Sequence, residues 1–543
     1  MNSFIDSLTV KNTVTDNGAL SHSSSGSPIL DQFGKAATYV KVRRDYSSKD
    51  NILAYGRPQS EVDADMALIW DENPELSMRM LFYWRMITRK NKSVYSDLEI
   101  QRGQGMRKEV FQRLLWVAYY HPQAFCNNLY LLTEVGSWKD LITLWEMDTE
   151  GVVKLESIIM LMAITIAGAD EEVPAHIFHL ENIKKYIPTL RSKNKLKTAH
   201  LKKMRMFADG FMKFFDMTER EYREFKSSGI SHKFQRDICQ KKFDELNFAA
   251  IGGRVINNLV KKNKKGTSFM ERWSLEERYI KWLDSKDAIN FVGYPYELSK
   301  KVNHSMSLIE EYTLNKQFER LLQNGRAEEG SIKGNIWCAL DTSGSMTDEV
   351  SNGVTAYDVC ISLGIYFSAL NEGAFHNQVI MFDEKSSVMK LAGSFCEKVK
   401  QIQRASTAWG STNFQSVIDE IVRVRLNNPN IPISDFPETL LVVSDMQFNP
   451  TETNTNTNYE EAMVKLEKVG LPKINIVWWQ VNGNSQDQPS LKDDKGTVLI
   501  GGFDGSIIST LLGGKNTTKL NEITPMEAML ACLNQEILKE IEI

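Results

Sequence analysis

The pattern of apolar and polar residues changes character once along the chain, near Gly334. From about residue 58 to 325, apolar positions recur at helix spacing almost throughout. Asn73-Pro74 offers an N-cap and a first-turn proline, and Leu76, Met80, Tyr83, Trp84 and Ile87 then share one face. Val110, Leu114, Val117 and Ala118 repeat that stripe in a helix expected over 106–120. His121-Pro122 ends it, because the residue before a proline is pushed out of the α region. Gly136-Ser137-Trp138-Lys139-Asp140 reads as a helix–turn–helix joint that caps a helix over 141–147. Many short amphipathic helices joined by tight turns predict HEAT-like pairs stacked as an α-solenoid, although no fixed repeat period is present.

Beyond Gly334 the period shortens. Residues 335–340 (NIWCAL), 378–382 (QVIMF), 439–444 (TLLVVS) and 474–481 (INIVWWQV) are short runs rich in Val and Ile, and helical stretches such as 356–370 and 413–424 separate them. Strands this apolar leave neither face for water, so the alternation predicts a doubly wound, Rossmann-like α/β sheet. A last strand at 498–501 and a helix over 525–541 complete the unit. Residues 1–57, with Ser23-Ser24-Ser25-Gly26-Ser27-Pro28 and a basic stretch from Lys35 to Arg44, read as an irregular polar arm. The expected order is therefore an arm (1–57), a helical repeat domain (58–325) and an α/β domain (326–543), an α plus α/β multidomain chain.

Composition narrows the class. With 42% hydrophobic and 25% charged residues over 543, the chain is an ordinary globular protein with ample core. The polar first 26 residues hold no secretory h-region, and no apolar run nears the roughly 20 residues that span a bilayer. Cys126, Cys239, Cys338, Cys360, Cys396 and Cys532 are scattered without C-x-x-C spacing, which fits a reducing cytoplasm and excludes a disulfide scaffold or zinc ribbon. The net charge of −4 is uneven. From Ser331 onward 16 Lys and Arg face 26 Asp and Glu, a net −10, which leaves +6 for the rest. Different partners for the two parts follow.

Candidate chemistry lies where the strands end, since ligands collect at the carboxyl edge of such sheets. Asp341-Thr342-Ser343-Gly344-Ser345 follows the first strand, Asp445 follows the third, and Gly410-Ser411-Thr412-Asn413 opens a helix between them. Two carboxylates and three hydroxyls give hard oxygen donors that suit Mg²⁺ or another divalent cation with several waters retained. Asp341, Ser343, Ser345, Thr412 and Asp445 resemble the metal-ion-dependent adhesion site of the von Willebrand factor A family, in order and at typical intervals. That resemblance implies Ser343 and Ser345 as direct ligands and Thr412 as direct or water-mediated. Asp341 and Asp445 would act mainly through water, and a sixth position would await a carboxylate from a protein partner. Asp348 and Glu349 sit where some relatives carry a second-metal pair; acids at a helix N-terminus are the preferred reading.

Enzyme signatures fail. An aspartyl-nucleophile phosphatase needs Asp where Ser343 stands, and a hydrolase elbow needs G-x-S-x-G. Gly513-Gly514-Lys515 approaches a P-loop, but Ser509 replaces its first glycine and Asn516 follows the lysine. His176 and His179 lie three apart without co-ligands nearby and read as a satisfied or exposed pair.

A helical-repeat body followed by an A-type domain resembles the TROVE family and above all its Ro-type members, in a divergent bacterial, plant and phage branch. The stretches that carry this are Arg102-Gly103-Gln104-Gly105, residues 131–145 around Gly136-Ser137-Trp138-Lys139-Asp140, and Lys185-Tyr186-Ile187-Pro188 with Arg191-Ser192-Lys193. A fourth is 246–254, leading to Trp273 and Tyr279. The resemblance implies a closed helical ring that binds single-stranded 3′ ends and small structured, non-coding RNA. The residues themselves add Lys184, Lys185, Arg191, Lys193, Lys195, Lys197, Lys202, Lys203 and Arg205, with no acid between 184 and 205, and a second group at Lys261, Lys262, Lys264 and Lys265. Such clusters suit phosphate contacts. A solvated face is the plain alternative, and no aromatic platform for base readout is visible. The expected function is a monomeric, non-enzymatic RNA-binding scaffold with a metal-dependent docking site. The rival is a protein–protein adaptor, a phage or stress-assembly component without nucleic acid.

Overall fold

Fully apolar runs of four to six residues have one stable home, the interior of a sheet covered on both sides. The computed structural model describes residues 12–35, 59–86, 91–92, 98–100, 103–170, 174–192, 196–228, 233–329, 334–351, 353–406, 410–452, 455–483, 487–503 and 520–543. In it the runs become strands Ile336–Asp341, Gln378–Phe382, Thr439–Ser444, Asn475–Gln480 and Thr497–Gly501. The spatial order is Thr497–Gly501, Asn475–Gln480, Thr439–Ser444, Ile336–Asp341, Gln378–Phe382 and finally Ser386–Lys390. The first five run parallel; the last is an antiparallel edge. Every residue of Ile336–Asp341 and Thr439–Ser444 is buried. The chain winds outward in opposite directions from this adjacent pair, so the switch point lies between them. Helix Ala356–Leu370 lies against the central strand, and a Cβ on Gly364 would stand 2.4 Å from a Leu340 methyl, so only glycine permits that approach.

Compactness divides the chain differently from the sequence pattern. One unit comprises Met1–Val40 and Asn247–Cys532, and the other Lys41–Leu246 and Leu533–Ile543. The boundary expected at 325/326 thus falls at Leu246/Asn247. The long helix Leu308–Glu329 explains this: it packs on Ala356–Leu370 and Phe395–Ala405, with Phe318 stacked on Phe395 at 4.1 Å and Lys400 bonded to Glu311 at 2.9 Å. The arm is corrected as well. Asn12–Val14 and Leu20–His22 form an antiparallel hairpin. Pro28–Gly34, capped by Ser27, is a helix that buries Ile29, Leu30 and Phe33 and packs against Thr497–Gly501. The expected helix over 525–541 stops at Leu533, and its tail joins the other unit.

That other unit is mostly helical. Asn73 caps Pro74–Arg85 by accepting the Leu76 amide at 3.0 Å, and Lys108–Tyr120 stops at His121. Trp138–Met147 begins after Ser137, whose hydroxyl makes no capping bond, unlike the cap expected there. The glycine of that joint has a steric reason, because a Cβ on Gly136 would meet Asp140 Oδ2 at 2.4 Å and the Leu132 carbonyl at 2.8 Å. Asp140 forms a buried ion pair with Arg85. Trp138 Nε1 donates to His179 Nδ1 at 2.9 Å, so the other ring nitrogen carries the proton that Glu134 accepts at 2.6 Å. His179 is therefore a satisfied core residue; the His176 side chain lies outside the described residues. No helix among the described residues is long and apolar enough to cross a membrane.

Candidate functional site

Asp341 closes the central strand opposite Phe382, and Thr342 donates its amide to the Phe382 carbonyl at 2.9 Å. The chain then turns on its own side chain: Asp341 Oδ1 accepts the Ser343 amide at 2.9 Å, an Asx-type turn. The following 3-10 turn, Gly344–Thr347, brings the Ser343 and Ser345 hydroxyls to 3.2 Å of each other. Asp341 Oδ2 accepts Ser444 Oγ at 2.5 Å from the adjacent strand. Asp445 Oδ1 accepts the Gln447 amide at 3.2 Å, and the Ser345 hydroxyl bonds the same carboxylate. The Gly344 amide reaches the Gly410 carbonyl at 3.1 Å, which ties the third loop to the first. Asn449 holds that loop by accepting the Thr412 amide at 3.1 Å and donating its own to the Thr412 carbonyl at 2.8 Å.

These bonds gather all five residues expected at the strand ends onto one edge. Asp341, Ser343, Thr412 and Asp445 are buried, with Ser345 half-buried above them. The electrostatics are unfavourable as they stand. Burial raises the Asp341 carboxyl, and the Asp445 charge raises it further; burial raises Asp445 too, with Asp348 adding to it. Neither carboxylate has a Lys or Arg partner among the described residues. Two such groups out of water want a cation. The donor set of two carboxylates and three hydroxyls fits a small hard ion with water in its shell. No group of three or more His, Cys, Asp or Glu able to hold a metal occurs among the described residues, so an ion here would rely on the hydroxyls.

Five contributors have no local signal in the sequence. Asn17, from the N-terminal hairpin, donates to Thr412 Oγ1 at 3.4 Å and to the Gln447 carbonyl at 2.5 Å. Thr15 bonds the Phe448 carbonyl at 2.6 Å, and the Asp16 amide bonds Gln447 Oε1 at 2.7 Å. Ser444 and Asn449 are ordinary polar residues until the sheet brings them to Asp341 and Thr412. Asp348 and Glu349 are not at an α-helix N-terminus as expected. Asp348 follows the 3-10 turn, and Glu349 opens a small hairpin where it accepts the Gly353 amide at 2.5 Å. Gly513-Gly514-Lys515 lies outside the described residues.

In the helical unit the basic stretch divides into two roles. Lys184 bonds Glu181 at 3.4 Å and lies over Phe225. Lys203 donates to the carbonyls of Trp145, Glu146 and Asp148, closing the end of Trp138–Met147. Arg205 is paired with Asp209 and Glu219, each at 2.8 Å. Lys185, Arg191, Lys197 and Lys202 are exposed, while Lys193 and Lys195 lie outside the described residues. Lys261, Lys262, Lys264 and Lys265 are exposed in the other unit, Lys262 beside Glu271 at 3.3 Å.

Comparison with known proteins gives two family models, each covering about a third of the chain. Residues 337–537 match a domain of unknown function, DUF7788. Residues 15–205 match another, DUF2828. The chain is 24% identical over 559 residues to the uncharacterized protein L728 of Acanthamoeba polyphaga mimivirus, covering 97% of this chain and 88% of that one. Among solved structures, the Ro (RSR) protein of Deinococcus radiodurans matches with a TM-score of 0.36 at 11% identity, over 94% of this chain and 100% of that one.

Proposed function

We propose that this chain is a non-enzymatic RNA-binding scaffold of the Ro type. In this reading the helical unit stacks as HEAT-like pairs and engages single-stranded or small structured RNA. The A-type sheet carries a Mg²⁺-dependent docking site for an acidic protein partner. The observation that carries the RNA reading is the exposed set Lys185, Arg191, Lys197 and Lys202, in a stretch without one Asp or Glu from 184 to 205. Cations so crowded repel one another, and a polyanion relieves that repulsion while releasing its own counterions.

The docking reading is supported by the buried, uncompensated carboxylates beside three hydroxyls. Ser343, Ser345 and Thr412 would hold the ion directly, with Asp341 and Asp445 supplying charge through water. The ion would supply a Lewis-acidic coordination position for a partner's carboxylate. The test uses the purified full chain with a labelled oligouridylate and a labelled stem-loop RNA. Binding of either that weakens steeply with salt supports the reading. Failure to bind both, together with an RNA-free complex in pull-downs that Asp341→Ala abolishes, would instead establish the adaptor.

A further inference from the structure

One cleft in the helical unit, of about 320 Å³, is walled by Lys139, Lys185, Arg191, Arg205, Lys226 and His200, and no Asp or Glu lines it among the described residues. Gathering like charges around one space costs free energy unless each is matched. Some are matched internally. Arg205 has Asp209 and Glu219, and His200 has Glu146. Half-buried Lys226 donates to the carbonyls of Lys184, Lys185 and Ile187 at the end of helix Pro174–Tyr186, which cancels the negative pole that would otherwise face the cleft.

Lys139, Lys185 and Arg191 are different. All three are exposed, and none of their charged heads has a carboxylate partner among the described residues; Lys185 lies only over the Tyr186 ring at 5.1 Å. Their backbones are nonetheless fixed. Lys139 stands between buried Trp138 and buried Asp140. Lys185 belongs to the helix end clipped by Lys226, and the Arg191 carbonyl accepts Arg205 Nη1 at 3.1 Å. The Thr198-capped first turn of the 16-residue helix Ala199–Phe214 opens on the same cleft through His200 and Leu201, adding its positive pole.

The volume lies at the small end of ligand pockets, enough for one nucleotide-sized group and too little for a duplex. A phosphate diester in a backbone carries one negative charge, whereas a monoester carries between about 1.5 and 2 at pH 7. Three available cations and a helix N-terminus favour the monoester. We propose that this cleft seats a phosphomonoester, either the terminal phosphate of an RNA strand or that of a free mononucleotide. The first source rests on the RNA reading above; the second does not.

The experiment measures binding of internally labelled decauridylates ending in a 5′-phosphate, a 3′-phosphate or hydroxyls at both ends. Wild type and Lys139→Ala/Arg191→Ala are compared, with AMP, adenosine and inorganic phosphate as unlabelled ligands and thermal melting as the check that the variant folds. The proposal expects one phosphorylated end to bind about tenfold tighter than the hydroxyl-ended strand. That ratio should fall to about one in the variant. AMP binding well above adenosine, lost in the variant, with no end preference among the RNAs, assigns the cleft to a free nucleotide and keeps its chemistry. Equal binding of all three RNAs, with AMP no better than adenosine, overturns the proposal even where salt-dependent RNA binding persists. No RNA binding with AMP retained removes the RNA reading and leaves the cleft standing.

Discussion

Just beyond Asp445 the chain passes through Met446 at φ +65°, a left-handed conformation that a methionine adopts only under constraint, held by the Met446 amide on Ser444 Oγ at 2.9 Å. The same hydroxyl donates to Asp341, so one serine holds the Asp341 carboxylate and the backbone turn just after Asp445. An ion that binds only the folded chain stabilises it by about 2.7 kcal/mol at a hundred times its Kd, which for a unit of this size raises Tm by roughly 4 °C. Wild type is expected to show such a rise when Mg²⁺ replaces chelator, and Asp341→Asn to lose it in differential scanning calorimetry. In chelator, Asp445→Asn should melt no lower than wild type, because it removes a repelling charge; a drop of many degrees there would mean that Asp445 serves structure alone. Asn17→Ala tests the hairpin's hold on Thr412. Its Mg²⁺ affinity should fall by about tenfold with little change in the metal-free Tm, and an unaltered affinity in isothermal titration would make Asn17 a bystander.

Among the elements, the Gly136–Asp140 joint is where sequence and packing agree best. Its glycine lets the turn close on Leu132 and Asp140, its tryptophan fixes His179 against Glu134, and its aspartate neutralises Arg85 in the interior. Asp140→Ala removes a buried ion-pair partner of that guanidinium and should cost about 3–5 kcal/mol in urea unfolding of the helical unit. Arg107→Ala, an exposed side chain 3.9 Å from the same carboxylate, should cost under about 0.5 kcal/mol; equal losses would refute this division of roles. The buried strands were legible because their inner positions form unbroken apolar runs, with polar residues only at the ends. The edge strand Ser386–Lys390 was not, since its exposed and half-buried residues carry no such run. The five residues at the strand ends were legible from their loops, whereas Asn17 reaches Thr412 across 395 positions with nothing local to announce it.

For the whole chain, helical periodicity marked helices without saying what they pack on. Leu308–Glu329 reads like the helices before it, yet Phe318, Glu311 and Gly325 commit it to the sheet unit through Phe395, Lys400 and Tyr366. The Ser-rich start looked irregular because its buried residues, Ile29, Leu30 and Phe33, are too few to stand out in sequence. Charge, by contrast, was legible at this scale, with the acidic stretch from Ser331 onward set against the basic cluster at 184–205. An RNA-binding role for that cluster turns most directly on how affinity responds to salt. Fluorescence polarisation of a labelled oligouridylate should give a linear fall of log K with log salt concentration. Reversing Lys185, Arg191, Lys197 and Lys202 to Glu should flatten that line, by about 0.7 in slope for every phosphate left without its cation, at unchanged Tm. Binding that ignores salt, or a quadruple variant that binds as wild type does, would contradict it.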